Sequence, residues 1–339
     1  MAATPEHPSP TEPDHADGVH RAAALAPPEV DAVLALVAAA EQADGTPPVS
    51  EQGLLQLRAG DPRQQHLLAR REGVLLGYGS LVPEEPQQPG EPQQPGDAGG
   101  LVGELVVAPA ARGRGTGRAL VEAALAARGE RALRLWMHGD LPAARALAER
   151  AGLVRVRELM TMRADLTAPL PPLPALDGVR LRTFEVGRDE EAWLGVNARA
   201  FAHHPEQGGW TIDDVRAREG EPWFDPAGLL LAVDEATGAL LGSHWTKTTP
   251  PERAGGGAAP RGEVYVVGVD PSAQGRGVGR LVTLAGLRSM RERGVRDVEL
   301  YVEADNAAAV AVYRRLGFER SGADVVVEAA GRPAGEVAR

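Results

Sequence analysis

Cysteine is absent from the 339-residue chain, which excludes disulfides and thiolate metal sites. Lysine is nearly absent too. Lys247 is the single lysine among 36 basic side chains, and a residue retained against such a composition invites a functional reason. Aromatic residues make up 4 % of the chain, and three of its four tyrosines, Tyr265, Tyr301 and Tyr313, fall in the C-terminal quarter. No apolar run approaches the ~18 residues that a membrane span needs, so no membrane association is expected. The net charge of −11 argues against general nucleic-acid binding; an anionic ligand has to be held by local features. The opening MAATPEHPSPTEPDHADGVH is polar and Pro-rich and lacks the apolar segment of a secretory signal. Residues 1–22 are expected to form a disordered tail. These absences describe a cytoplasmic protein, expected to be a monomer, with no metal centre.

What is present is a repeat. RGRGTGR at 112–118 and QGRGVGR at 274–280 each sit between a β-like run and an apolar helical run. The element order around them recurs. In the first half, helical periodicity over 29–43 and 49–59 precedes hairpin strands at 66–69 and 74–82. A strand at 101–107, a helix at 115–128, a strand at 132–136, a helix at 143–151 and a closing strand at 154–162 follow. The second half runs strand 179–184, helices 190–201 and 212–219, strands 229–233, 239–247 and 263–269, helix 277–293, strand 298–302, helix 307–316 and a last strand at 323–328. Each half is α+β. EPQQPG, written twice within residues 83–100, cannot bury a core and is expected to be a disordered insert. APLPPLPALDG marks a linker at 167–177. Two consecutive domains are therefore expected, 23–166 and 178–330, with a short tail at 331–339.

In EVYVVGVDPSAQGRGVGRLVTLAGL a strand ends at Val269, Asp-Pro turns the chain and a helix follows. The glycines leave backbone N–H groups open. Together with the positive end of the helix they make a pocket for phosphate oxygens, and Arg276 and Arg280 add charge. The spacing is neither that of a Walker loop nor that of a dinucleotide-binding turn.

The pattern Gln274-x-x-Gly277-x-Gly279, repeated as Arg112-x-x-Gly115-x-Gly117, resembles the pyrophosphate loop of the GNAT superfamily of N-acetyltransferases. YVEADNAAAVAVYRRLGFERSG resembles that family's C-terminal segment. The resemblance implies two tandem GNAT-type domains, each a mixed, mostly antiparallel sheet flanked by helices, and acetyl-CoA as co-substrate. It assigns acetyl-CoA to Val267, Gly268, Val269, Gln274, Gly275, Arg276, Gly277, Val278, Gly279, Arg280 and Asn306 in the second half. In the first half it assigns Leu105, Val106, Val107, Arg112, Gly113, Arg114, Gly115, Thr116 and Gly117.

Acetyl transfer needs a neutral amine and a proton for the departing thiolate, and backbone N–H groups around Val267–Val269 to polarise the carbonyl. The second half offers Glu263 to collect the amine proton and Tyr313 to supply the other. Aligning the halves on their own landmarks puts Leu101 and Ala148 at those positions, so one catalytic site is expected, in the second half, beside a degenerate copy. HPEQGGW, WFDP and GSHWTK resemble the tandem branch that acetylates the cysteinyl amine of desacetylmycothiol, a small thiol pseudo-disaccharide (cysteinyl-glucosaminyl-inositol). That closer resemblance implies that Glu263 meets the amine, that Glu206, Lys247 and Tyr301 hold the sugar and cysteinyl parts, and that Glu51 reaches the inositol end. Two other readings stay open: an acetyltransferase for a protein N-terminus or another small amine, and a non-catalytic acetyl-CoA-binding sensor.

Overall fold

The computed structural model describes residues 17–84, 100–202, 205–250 and 259–329, without the side chains of 205 and 206. The expected tail before residue 17, nearly all of the EPQQPG insert and the expected C-terminal tail lie outside the described residues. Twelve strands and nine α-helices run through them: β1 (Gly18–Ala22), α1 (Pro27–Asp44), α2 (Glu51–Ala59), β2 (Gln65–Arg71), β3 (Val74–Pro83), β4 (Leu101–Val107), α3 (Thr116–Arg128), β5 (Leu133–Met137), α4 (Pro142–Arg150) and β6 (Val154–Asp165), then β7 (Val179–Thr183), α5 (Glu190–Ala200), α6 (Pro205–Gly208), α7 (Ile212–Glu219), β8 (Leu229–Asp234), β9 (Leu240–Thr249), β10 (Arg261–Val269), α8 (Val278–Glu292), β11 (Asp297–Glu303), α9 (Ala307–Arg315) and β12 (Glu319–Ala329). Residues 18–22, expected to belong to the tail, form β1 instead, paired antiparallel with β2 from Gly18↔Arg70 to Ala22↔His66.

The chain divides into two compact units, and these are not consecutive stretches. The first holds residues up to 156 together with the chain from Val325 onward; the second holds Arg157–Asp324. In the first unit, β1 to β5 lie side by side in sequence order, and β12 from Val325 onward runs antiparallel to β5, Val325↔Met137 to Ala329↔Leu133. In the second, β7, β8, β9, β10 and β11 lie in order, and β6 runs antiparallel to β11, from Asp297↔Asp165 to Glu303↔Leu159. Each unit is thus completed by a strand from the other half of the sequence. The strand at 154–162, expected to close the first half, mostly serves the second.

Side chains secure both additions. Arg134 Nε donates to Glu328 Oε2 at 2.7 Å, and Arg128 Nη1 donates to the Ala329 carbonyl at 3.1 Å. Arg157 Nη2 donates to Glu303 Oε1 at 2.5 Å. Val325 and Val327 enter the first unit's core beside Leu101, Leu120, Leu133 and Leu135. Burying each such side chain contributes roughly 1.5–3 kcal/mol. A chain ending at Asp324 is therefore expected to lose more than about 3 kcal/mol in its first unit. Hydrogen exchange at the amides of β5 measures this directly.

The expected linker is packed: Leu170 joins the core under β11, and Arg288 Nη2 donates to the Pro171 carbonyl at 2.8 Å.

β9 carries His244, buried completely against α8, with Nδ1 3.1 Å from the Val282 carbonyl oxygen. A Cβ added to Gly286 would stand 2.0 Å from that Nδ1, so α8 approaches β9 this closely only because residue 286 has no side chain. Burial pushes the imidazole pKa down to about 4. The unfolded chain titrates near the ordinary 6.5, so it binds the proton first. His244's contribution is complete above about pH 6.5 and is lost as pH falls toward 4, about 3 kcal/mol in all. Urea midpoints at pH 7 and pH 4.5 are expected to differ less in a His244→Gln variant than in the wild type.

Candidate active site

In the second unit a tight turn joins β10 to α8. The Asp270 carboxylate organises it, accepting from Ser272 N at 2.9 Å and Ser272 Oγ at 2.6 Å on one oxygen and from Arg199 Nε at 2.8 Å on the other. Those hydrogen bonds, with the Arg199 charge, hold the carboxyl below the usual range. Gly275 and Gly277 take φ of +76° and +85°, in the left-handed region that favours glycine. Gly277 caps α8 with no side chain on the first-turn N–H groups. Gln274, Gly275, Arg276, Gly277 and Arg280 are exposed, while Val278 is buried and anchors the helix. An uncapped helix start behind a glycine turn, flanked by Arg276 and Arg280, fits a pyrophosphate.

Upstream of the turn the sheet opens. β10 pairs in parallel with β11 only from Arg261↔Asp297 to Val264↔Leu300, so Val267, Gly268 and Val269 pair with β9 alone. Their other edge presents backbone groups to whatever enters between the strands. A bulge at Tyr265 marks the start of this opening, since Val264 faces Thr246 while Val266 faces Trp245. Bulges re-aim side chains beside functional sites.

Three of the residues expected to meet the acceptor come together here. Glu263 stands in register with Lys247 on one side and Glu299 on the other, so the three side chains share one face of the sheet. Tyr301, two residues along β11, lies on the same face at 39 % exposure. Its phenol is pushed up by burial and by the Glu299, Glu263 and Asp324 carboxylates. The Lys247 ammonium lies 4.6 Å from the Trp223 ring centroid and 5.2 Å from that of Tyr265. Tyr313, near the end of α9, packs edge-on to Phe318 at 5.6 Å, and burial pushes its phenol up to about 12. It therefore stays protonated at neutral pH, the state a proton donor needs. Asn306 caps α9, its Oδ1 accepting from Ala309 N at 3.0 Å. The side chain of Glu206 lies outside the described residues.

The first unit repeats the frame. β4 pairs in parallel with β5 only from Leu101↔Leu133 to Glu104↔Trp136, leaving Leu105, Val106 and Val107 beyond the ladder. The turn to α3 has Gly113 and Gly115 at φ +71° and +92°, with Arg112, Arg114 and Gly115 exposed, Thr116 and Gly117 half-buried. The chemistry differs. Leu101 is fully buried and Ala148 nearly so; both are core residues. Arg112 is engaged within the unit, bidentate to Asp44 at 2.6 and 2.8 Å and donating to the Val107 carbonyl at 3.2 Å. Glu51 is the first residue of α2. Glu104, not among the residues singled out in the sequence, also lies in this unit. This carboxylate is 6 % exposed, and one oxygen accepts from Ser50 N and lies against His138 Nε2, each at 2.8 Å. The signal for it was an acid inside the apolar run LVGELVV.

Among the described residues no group of three or more His, Asp or Glu side chains could hold a metal ion, and no helix is long and apolar enough to cross a membrane.

The sequence matches known proteins along its length. The model of the acetyltransferase (GNAT) family matches residues 32–153 and again 196–318. A mycothiol acetyltransferase of Thermomonospora curvata is 52 % identical over 305 residues, covering 90 % of this chain and 95 % of that one. A mycothiol acetyltransferase of Nocardia farcinica is 52 % identical over 304 residues, covering 89 % and 94 %. Among solved structures, a tandem GNAT protein from the clavulanic acid biosynthesis pathway superposes with a TM-score of 0.64 at 24 % identity, covering 93 % of this chain and 99 % of that one. The two splayed sheets, the two glycine turns and the identity across nine-tenths of the chain agree: the chain is a tandem member of the acetyltransferase (GNAT) family and belongs with the mycothiol acetyltransferases.

Proposed function

We propose that the chain transfers the acetyl group of acetyl-CoA to the cysteinyl amine of desacetylmycothiol, the last step of mycothiol biosynthesis, at one site in the second unit. The observation that carries the reading is the placement of Glu263 in register with Lys247, on the face shared by Tyr301, where β10 parts from β11. Acetyl-CoA supplies the activated acyl group. Gln274, Gly275, Gly277, Gly279 and the start of α8 hold its pyrophosphate, with Arg276 and Arg280 alongside. The free edge of Val267–Val269 aligns the pantetheine arm and offers N–H groups to the thioester oxygen.

The acceptor is an α-amine, whose reference pKa is about 7.7–8.0. Part of it is neutral near pH 7, and Glu263 takes the proton lost as the C–N bond forms. Tyr313 gives its proton to the sulfur as the C–S bond breaks. Lys247 and Tyr301 hold the cysteinyl and sugar parts. A neutral polyol calls for paired donors and acceptors rather than net charge. The reading carries with it a cytoplasmic monomer acting on a small molecule.

Mass spectrometry of the purified chain with acetyl-CoA and desacetylmycothiol, and in parallel with N-terminal peptides and polyamines, tests it. One acetyl gained by desacetylmycothiol alone is the expected result; acetylation of another amine instead overturns the substrate.

A further inference from the structure

The WFDP segment begins, and the HPEQGGW segment ends, in aromatic residues that the reaction itself leaves unused. Trp210, Trp223, Trp245 and Tyr265 form one cluster. The Tyr265 ring stands 4.9 Å from Trp223 and 5.5 Å from Trp245. Into this apolar group projects a guanidinium. Arg218, on α7, is 2 % exposed. Its Nε donates to the Tyr265 hydroxyl at 2.7 Å, its Nη1 donates to the Asp214 carbonyl at 3.0 Å, and its Cζ lies 3.7 Å from the Trp210 ring centroid. Taking a guanidinium out of water costs several kcal/mol before its partners offset it. An apolar side chain would fill the same space without that cost, so packing alone does not account for an arginine here.

Tyr265 is also the extra residue of the β10 bulge, between Glu263 and the open edge at Val267–Val269. Its ring and that of Trp223 both face the Lys247 ammonium. We propose that Arg218 is a positioning residue for the acceptor half of the site. By gripping the Tyr265 hydroxyl it fixes the ring at the bulge, and the Tyr265–Trp223 pair then holds the Lys247 ammonium on the face it shares with Glu263. The same guanidinium stacks on Trp210, so it also ties the chain just after α6 to the catalytic strand. The effect on catalysis rests on the reading that Lys247 holds the substrate; the aromatic seat for its ammonium does not.

The single lysine makes the test direct. Lysine labelled with ¹³C at Cε gives one cross-peak, which the two rings shift upfield. Arg218→Met keeps much of the volume and removes the donors. Tyr265→Phe keeps the ring and removes the acceptor, and serves as the milder variant should the first fold poorly. In both the cross-peak is expected to move toward the position of free lysine. KM for desacetylmycothiol is expected to rise about tenfold, while KM for acetyl-CoA changes less than about twofold. An unmoved cross-peak in both variants overturns the proposal. So does a rise in both KM values together with a fall in melting temperature, which is the mark of a purely structural role. A wild-type protein that acetylates no desacetylmycothiol refutes the functional reading, and the cross-peak still decides the role of Arg218.

Discussion

Glu263→Gln is expected to lower turnover by about 10²–10³-fold at pH 7, within the range that general base catalysis contributes, and to leave the affinity for acetyl-CoA unchanged. The amide keeps the shape of the side chain and its place in register between Lys247 and Glu299, in the paired part of β10 that precedes the turn at 270–277. What it removes is the ability to accept a proton. Raising the pH separates two ways in which the carboxylate could act. Hydroxide and buffer bases can take the proton released as the C–N bond forms, and more so as pH rises, so a deficit caused by loss of a base narrows at pH 9. A deficit caused by lost orientation persists. The pH profile of kcat/KM for the variant, set against the wild type, therefore reads the role itself. Full turnover at pH 7 in Glu263→Gln would remove the base assignment.

Gly286→Ala is expected to be the most damaging small substitution in the second unit. The added methyl would stand 2.0 Å from His244 Nδ1 and 2.3 Å from Cε1, a distance no pair of non-bonded heavy atoms tolerates. The histidine has nowhere to turn. It is fully buried, and its Nδ1 already lies against the Val282 carbonyl. Either the ring leaves its rotamer or α8 moves off β9, and the phosphate turn runs directly into the start of α8. Overpacking of this kind costs about 1–3 kcal/mol in typical cores and more when the neighbours are fixed. The upper end is expected here, with a fall in melting temperature of roughly 6–12 °C. Adding His244→Ala to Gly286→Ala opens the space and is expected to restore most of the loss. Scanning calorimetry of the two variants checks both statements, and a second variant no more stable than the first would place the damage elsewhere.

The order of elements was legible in the sequence because each relies on a local signal. Alternation marked β10 and periodicity marked α8. The Gly-rich repeats gave both turns. Glu263 and Tyr313 stood out because the same positions in the other half, Leu101 and Ala148, carry no group that can take or give a proton. Strand partnership was not legible. β6 and β12 alternate as any half-buried strand does, and nothing in that pattern says whether the neighbour is 20 residues away or across the chain. Arg218 was missed for a related reason. It lies one turn after Val215 on the buried face of α7, and an arginine there reads as solvated until the hydroxyl it meets, 47 residues later, is placed beside it. Glu104 was passed over because its partners, Ser50 N and His138, come from separate elements.

The exchange of final strands also sets the timetable of biosynthesis. β5 leaves the ribosome long before its neighbour exists: the hydrogen-bonded pair Arg128 and Ala329 are 201 residues apart. At about 5–20 residues per second that is a wait of roughly 10–40 s. Throughout it the first unit has an unpaired strand edge, a surface on which nascent chains aggregate or recruit chaperones. The second unit, begun later, receives its borrowed strand, β6, before its own sequence has started. The half that is translated first is the half that is completed last.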